Sequence, residues 1–171
     1  MKRFITTVTL VVLIVVCFLL QTTVFKWLAL ANVVPNLLII LTVSVGYMRG
    51  RTDALFTGLL CGLAIDCMYG DVMGLTALIY MLTGYISGYA NMIYITDDYT
   101  MPIFVIGIGD FIYSILFYVF NFLLRARLNF LYYLRHIILP ELIYTVVAAL
   151  VLYKLFHMIN EQLERFEHKE A

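Results

Sequence analysis

Charge is missing from this chain over stretches long enough to cross a lipid bilayer. Neither Phe4 to Leu20 nor Leu75 to Ile95 contains a charged residue. A spanning helix needs about 20 mostly apolar residues. In hydrocarbon every backbone N–H and C=O must be satisfied internally, which leaves only helices and closed barrels. Strands of about ten residues with alternating polarity, the mark of a membrane barrel, do not occur. Composition agrees: 64% of residues are hydrophobic and 13% charged, against about 25% charged in soluble domains. Mean hydropathy is +0.98.

Six apolar segments follow one another: Phe4–Phe25, Pro35–Met48, Ala54–Tyr69, Leu75–Ile95, Met101–Leu124 and Ile137–Met158. Six crossings of about 20 residues use nearly the whole chain. The expectation is an all-α integral membrane bundle over residues 1–159 and a short charged cytoplasmic tail, 160–171. The second and third segments are short, and Arg49-Gly50-Arg51-Thr52-Asp53 divides them. They read as two crossings, or as a partly re-entrant hairpin. The first segment resembles a signal peptide, with Lys2-Arg3 before it and Ala29-Leu30-Ala31 after it. Its apolar run of 17 residues exceeds the usual 7–15, so an uncleaved helix is expected.

The positive-inside rule orients the chain. With the N-terminus inside, seven basic residues fall on the cytoplasmic side: Lys2, Arg3, Arg49, Arg51, Lys154, Arg165 and Lys169. Four fall outside: Lys26, Arg125, Arg127 and Arg135. Both termini are therefore expected in the cytoplasm. Arg125, Arg127 and Arg135 run against the rule. With Tyr132 and Tyr133 they suit either lipid headgroups or ordinary interfacial anchoring.

Three carboxylates lie inside apolar stretches: Asp66, Asp110 and Glu141. An ionised group at the bilayer centre costs roughly 2.5–3.5 kcal/mol on insertion scales, so each is a candidate functional residue. The crossing order puts Pro35-Asn36, Asp66 and Pro140-Glu141 at similar depth near the outer leaflet. Asp66 and Glu141 either line a cavity, with Arg135 or His136 as counter-charge, or cap helix ends near water. Asp110, beside Gly107 and Gly109, lies deeper and needs a partner or a proton. Asn91, Tyr113 and Ser114 are candidate partners.

Gly58 and Gly62 form one GxxxG pair, Gly84 and Gly88 another; such pairs allow close helix approach. Cys17, Cys61 and Cys67 read as buried thiols, without zinc-site spacing. No metalloprotease, nucleophile-elbow or P-loop motif occurs, so no enzyme, cofactor or metal is expected. Net charge is zero, which offers nothing to nucleic acid. The tail reads as a solvated helix end or a short docking helix.

One combination has a familiar order. Val34-Pro35-Asn36-Leu37-Leu38-Ile39 precedes Gly58-Leu59-Leu60-Cys61-Gly62-Leu63-Ala64-Ile65-Asp66. Gly70 and Gly74-Leu75-Thr76-Ala77-Leu78 follow, then Pro140-Glu141-Leu142-Ile143-Tyr144. This resembles the bacterial rod shape-determining MreD family over nearly the whole chain. The family usually carries Pro-Asp-Leu where this chain has Pro35-Asn36-Leu37, a swap that removes a charge. The resemblance implies a six-helix bundle similar to the substrate-binding subunits of energy-coupling-factor transporters. It also implies a non-enzymatic part of the cell-elongation machinery in the cytoplasmic membrane. Its implied partners are MreC directly, then MreB, RodA and a class B penicillin-binding protein. The residues carried over are Pro35, Asn36, Asp66, Gly70, Pro140, Glu141 and Tyr144, expected to shape a cavity or partner surface. A vitamin or small-molecule transporter subunit is the alternative. Such subunits often dock through an Ala-x-x-x-Ala face on the first helix, which the Val/Leu/Ile-rich first segment lacks.

Overall fold

The computed structural model describes residues 2–24, 27, 34–70, 73–93, 100–120 and 134–169, and among them there is no strand. Helix α1 spans Lys2–Leu19 and passes into a π-helical turn, Leu20–Val24. Helices α2, Leu37–Arg49, and α3, Arg51–Tyr69, meet at Gly50, whose φ of 93° suits glycine. Helix α4 spans Leu75–Ser87 and is followed by a helical turn, Ala90–Ile93. Helix α5 spans Thr100–Tyr118, and α6 runs from Leu139 to Lys169 after a π-helical turn, Leu134–Ile138. Among the described residues, four segments are long and apolar enough to cross a membrane: Ile5–Val24, Arg51–Tyr69, Thr100–Tyr118 and Leu134–Gln162.

The six expected segments appear in order, with shifted ends. The fourth breaks at Ser87 rather than running on to Ile95. The sixth is longer than expected and continues as helix through Asn160 into the charged tail. Pro140 has no N–H to donate to the preceding turn, and the helix is π-wound just before it. The Arg125–Arg127 and Tyr132–Tyr133 stretch, Lys26 and Asp97–Asp98 lie outside the described residues.

Helix α2 is the centre of the bundle. It has 13 residues, about 20 Å at 1.5 Å per residue, short of the roughly 30 Å hydrocarbon layer. Every residue from Leu37 to Gly46 is buried, and α1, α3, α4, α5 and α6 all pack against it. An all-round apolar helix belongs inside a structure. The outer helices turn their apolar faces outward instead, as Val12, Val15 and Leu19 of α1 and Val147, Leu150 and Val151 of α6 do. Buried hydroxyls are satisfied locally: Thr42 donates to the Leu38 carbonyl at 2.8 Å and Thr83 to the Ile79 carbonyl at 2.8 Å.

Helices α3 and α4 form an antiparallel hairpin closed by both glycine pairs. Gly58 and Gly62 of α3 lie against the α4 backbone at Tyr80 and Ala77; Gly84 and Gly88 of α4 lie against the α3 backbone at Ala54 and Arg51. A Cβ on Gly58 would sit 2.5 Å from the Tyr80 carbonyl oxygen, and one on Gly84 2.6 Å from that of Ala54. At the end of this register the Arg51 guanidinium stacks 4.7 Å over the Tyr89 ring.

Directions follow from side-chain bonds. The start of α2 meets the start of α6 through Asn36 and Thr145. The end of α2 meets Asn160, well along α6, where Arg49 Nε donates to Asn160 Oδ1 at 2.6 Å. These two helices are parallel. Leu10 of α1, Val45 of α2 and Asn160 of α6 border one cleft, so α1 begins at the end of the bundle where α6 emerges. Cys17 and Cys61 are buried as expected; Cys67 is exposed, because it lies on the face of α3 turned away from the bundle.

Replacing Gly58 or Gly62 by Leu is expected to destabilise the protein by about 1–3 kcal/mol or more, since backbone cannot yield as a core side chain does. Gly107→Ala, whose Cβ would meet only Val146 Cγ2 at 3.3 Å, is expected to be mild. Thermal melting of the purified variants in detergent checks the contrast.

Candidate functional site

The buried start of α2 poses an accounting problem. The first amides of a helix have no partner within it, and here no water reaches them. Each is met by a named group. The Leu37 N–H donates to the Pro35 carbonyl at 3.2 Å and the Leu38 N–H to Gln21 Oε1 at 3.2 Å. The Ile39 N–H donates to Asn36 Oδ1 at 3.3 Å. The Asn36 N–H donates to the Thr145 hydroxyl at 3.2 Å, and the Tyr80 hydroxyl donates to Asn36 Oδ1 at 2.6 Å. Asn36 thereby joins α2 to α4 and α6, while Gln21 adds α1. An asparagine caps well without a charge, which fits its place at 3% exposure.

Asp66, near the end of α3, caps α4 from outside. Its Oδ2 accepts from the Gly74 N–H at 2.9 Å and the Ala77 N–H at 3.0 Å, its Oδ1 from the Thr76 N–H at 3.3 Å. A carboxylate suits the positive end of a helix. Gly70 closes α3, its N–H donating to the Asp66 carbonyl at 3.1 Å; a Cβ there would lie 2.8 Å from Asp66 Cα. Of the two readings open for Asp66, the structure gives the helix cap, and the counter-charge is backbone N–H rather than Arg135 or His136.

The third group differs. Asp110 is fully buried in α5, and neither carboxyl oxygen has a hydrogen-bond partner. The Thr145 hydroxyl lies beside it but outside hydrogen-bonding geometry. Glu141 lies one turn before Thr145 on α6 and is half-buried. Gly109 lets α5 approach closely, its Cα facing Val43 of α2 and Ser87 of α4. Among the candidate partners, Ser114 lies one turn on from Asp110 along α5, and Tyr113 packs edge-on to Tyr80 with ring centroids 5.0 Å apart. Asn91 lies at the opposite end, its Nδ2 donating to the Tyr47 carbonyl at 2.5 Å. Pro140 and Tyr144 are half-buried on α6.

Asn36, Asp66, Asp110 and Glu141 thus collect toward one end of the bundle. Sequence reasoning missed Gln21, Tyr80 and Thr145. Thr145 had a signal, since it follows Glu141 at the four-residue spacing that shares a helix face. Gln21 was the lone amide ending an apolar run. Among the described residues no group of three or more His, Cys, Asp or Glu side chains could hold a metal ion.

Fold and polar cluster together define a polytopic helical membrane protein whose buried polar groups mainly join its helices. The family model for rod shape-determining protein MreD matches residues 1–161, and the chain belongs to that family. No curated protein and no solved structure matches it.

Asn36→Ala is expected to cost about 2 kcal/mol or more, because it removes a cap and orphans the Tyr80 hydroxyl. Tyr80→Phe is expected to cost about 1 kcal/mol, and the double variant less than the two together. A double-mutant cycle of unfolding free energies measures the coupling.

Proposed function

We propose that this member of a rod shape-determining family acts without catalysis, as a membrane partner within the cell-elongation machinery. It binds MreC directly and through it connects MreB to RodA and a class B penicillin-binding protein. Family membership over residues 1–161 carries this reading. The bundle supports it: Asn36 and Asp66 are occupied in joining and capping helices, as befits a rigid body that presents surfaces. The protein resides in the bacterial cytoplasmic membrane. Lys2, Arg3, Arg49 and Arg51 belong to the end of the bundle from which α6 emerges, and by the positive-inside rule that end faces the cytoplasm. The Asn36–Asp66 end then faces outward, with Gly70, Pro140 and Tyr144 as candidates for the partner surface, while the buried Pro35 shapes the start of α2 from within.

Purification of the tagged protein from its own membranes in mild detergent is expected to recover MreC and elongation synthases. Recovery of a membrane coupling protein with two ATPases would instead make the chain a transporter subunit. In a deletion strain, Asp66→Ala and Glu141→Ala are expected to fail to restore rod shape; restoration by variants that accumulate normally would remove both residues from the role. A C-terminal alkaline phosphatase fusion is expected to be inactive, and strong activity would reverse the orientation.

A further inference from the structure

The cleft at the end of the bundle from which α6 emerges holds a cation whose hydrogen bonds are only partly used. Arg49 lies in the last turn of α2, where a positive charge suits the helix end. Its Nε donates to Asn160 Oδ1 at 2.6 Å. Its Nη2 is closed off from water, yet meets no hydrogen-bond acceptor among the described residues. A covered guanidinium N–H without an acceptor is costly. Leu13 of α1, Leu41 and Val45 of α2 and Phe156 of α6 line the cleft together with Arg49 and Asn160. Leu41 stands eight residues before Arg49, about 12 Å along the axis. The cleft is thus apolar along its length and cationic at one end. Its depth in the bilayer follows from the spans. Asn160 is two residues from the end of the apolar stretch Leu134–Gln162, and Leu13 is eight residues inside Ile5–Val24. The Arg49 end therefore lies at headgroup level and the rest among acyl chains.

We propose that this cleft binds an anionic phospholipid, its phosphate accepting from the Arg49 guanidinium and one acyl chain lying against Leu41, Val45 and Phe156. An acyl chain has no polar group to satisfy between apolar walls, whereas an extended peptide would bring unpaired N–H and C=O groups. A phosphate oxygen supplies the acceptor that Nη2 lacks, and a guanidinium pairs well with it. Asn160 holds the guanidinium by Nε and leaves Nη2 for the ligand. Zwitterionic lipids carry an ammonium beside the phosphate, which the arginine repels. A lipid so bound ties α2 to α1 and α6 across the cleft. With the orientation proposed above it comes from the cytoplasmic leaflet, whose surface is negative; the binding itself does not depend on that orientation or on the role in cell shape.

The test is photolabelling of the full-length protein in phosphatidylcholine nanodiscs with a trace of phosphatidylglycerol bearing a diazirine on its acyl chain. Peptide mass mapping is expected to place the adducts on the cleft segments 10–13, 41–49 and 156–160. Exchanging part of the phosphatidylcholine for unlabelled phosphatidylglycerol is expected to suppress that label; exchanging it for phosphatidylethanolamine is not. Arg49→Gln is expected to lower cleft labelling about tenfold. Arg51→Gln, at the same end but stacked on Tyr89, is expected to leave it unchanged. Label spread evenly over outward residues such as Val12 and Val147, or equal suppression by both lipids, would overturn the proposal as contact with bulk lipid only. An unlabelled cleft would overturn it too, in favour of a second copy of the chain where the protein also cross-links to itself. The wild-type competition decides the matter even if Arg49→Gln does not fold.

Discussion

A helix buried on every side must have both its ends satisfied by protein. That constraint on α2 organises the molecule. At its start, Gln21, Asn36 and Thr145 replace the water that would otherwise bond its free amides. At its finish, Asn91 serves the Tyr47 carbonyl and Asn160 receives Arg49. In hydrocarbon an unmet backbone group costs several kcal/mol. The helices that supply these side chains are therefore held in place by the helix they surround. The short length of α2 follows from the same arrangement, since a central helix need not match the bilayer thickness.

Two kinds of contact divide the remaining work. The α3–α4 hairpin depends on backbone approach, because lipid removes most of the hydrophobic advantage of burying large side chains. Glycines on both helices make that approach reciprocal, and Asp66 continues the register by capping the first turn of α4. The α5–α6 side is built differently. It encloses Asp110 with neither carboxyl oxygen hydrogen-bonded. The glycine-closed hairpin packs on α2, and its α4 also meets α5 directly.

Much of this was legible in the residues. Apolar run lengths set the number and order of helices, and the glycine pairs marked the faces that pack. The shared depth of Asn36, Asp66 and Glu141 followed from alternating crossings. Helix ends were less legible: Ser87 and Gly88 interrupt an unbroken apolar pattern, and the emergence of α6 into its charged tail is a matter of length rather than polarity. Partners were least legible, since Asn91 and Ser114 are both plausible neighbours for Asp110 until the helices are assembled.

By itself the sequence determined a helical membrane bundle, because runs without charge leave the backbone no other way to satisfy its bonds in lipid. It also determined the family, through motifs whose order spans the chain. Only the tertiary structure decided that α2 is the enclosed helix, that Asp66 is a cap and that Asp110 is buried without a hydrogen-bond partner. Those outcomes rest on which helix faces meet, and hydropathy in an all-apolar chain does not distinguish a face that meets lipid from one that meets protein.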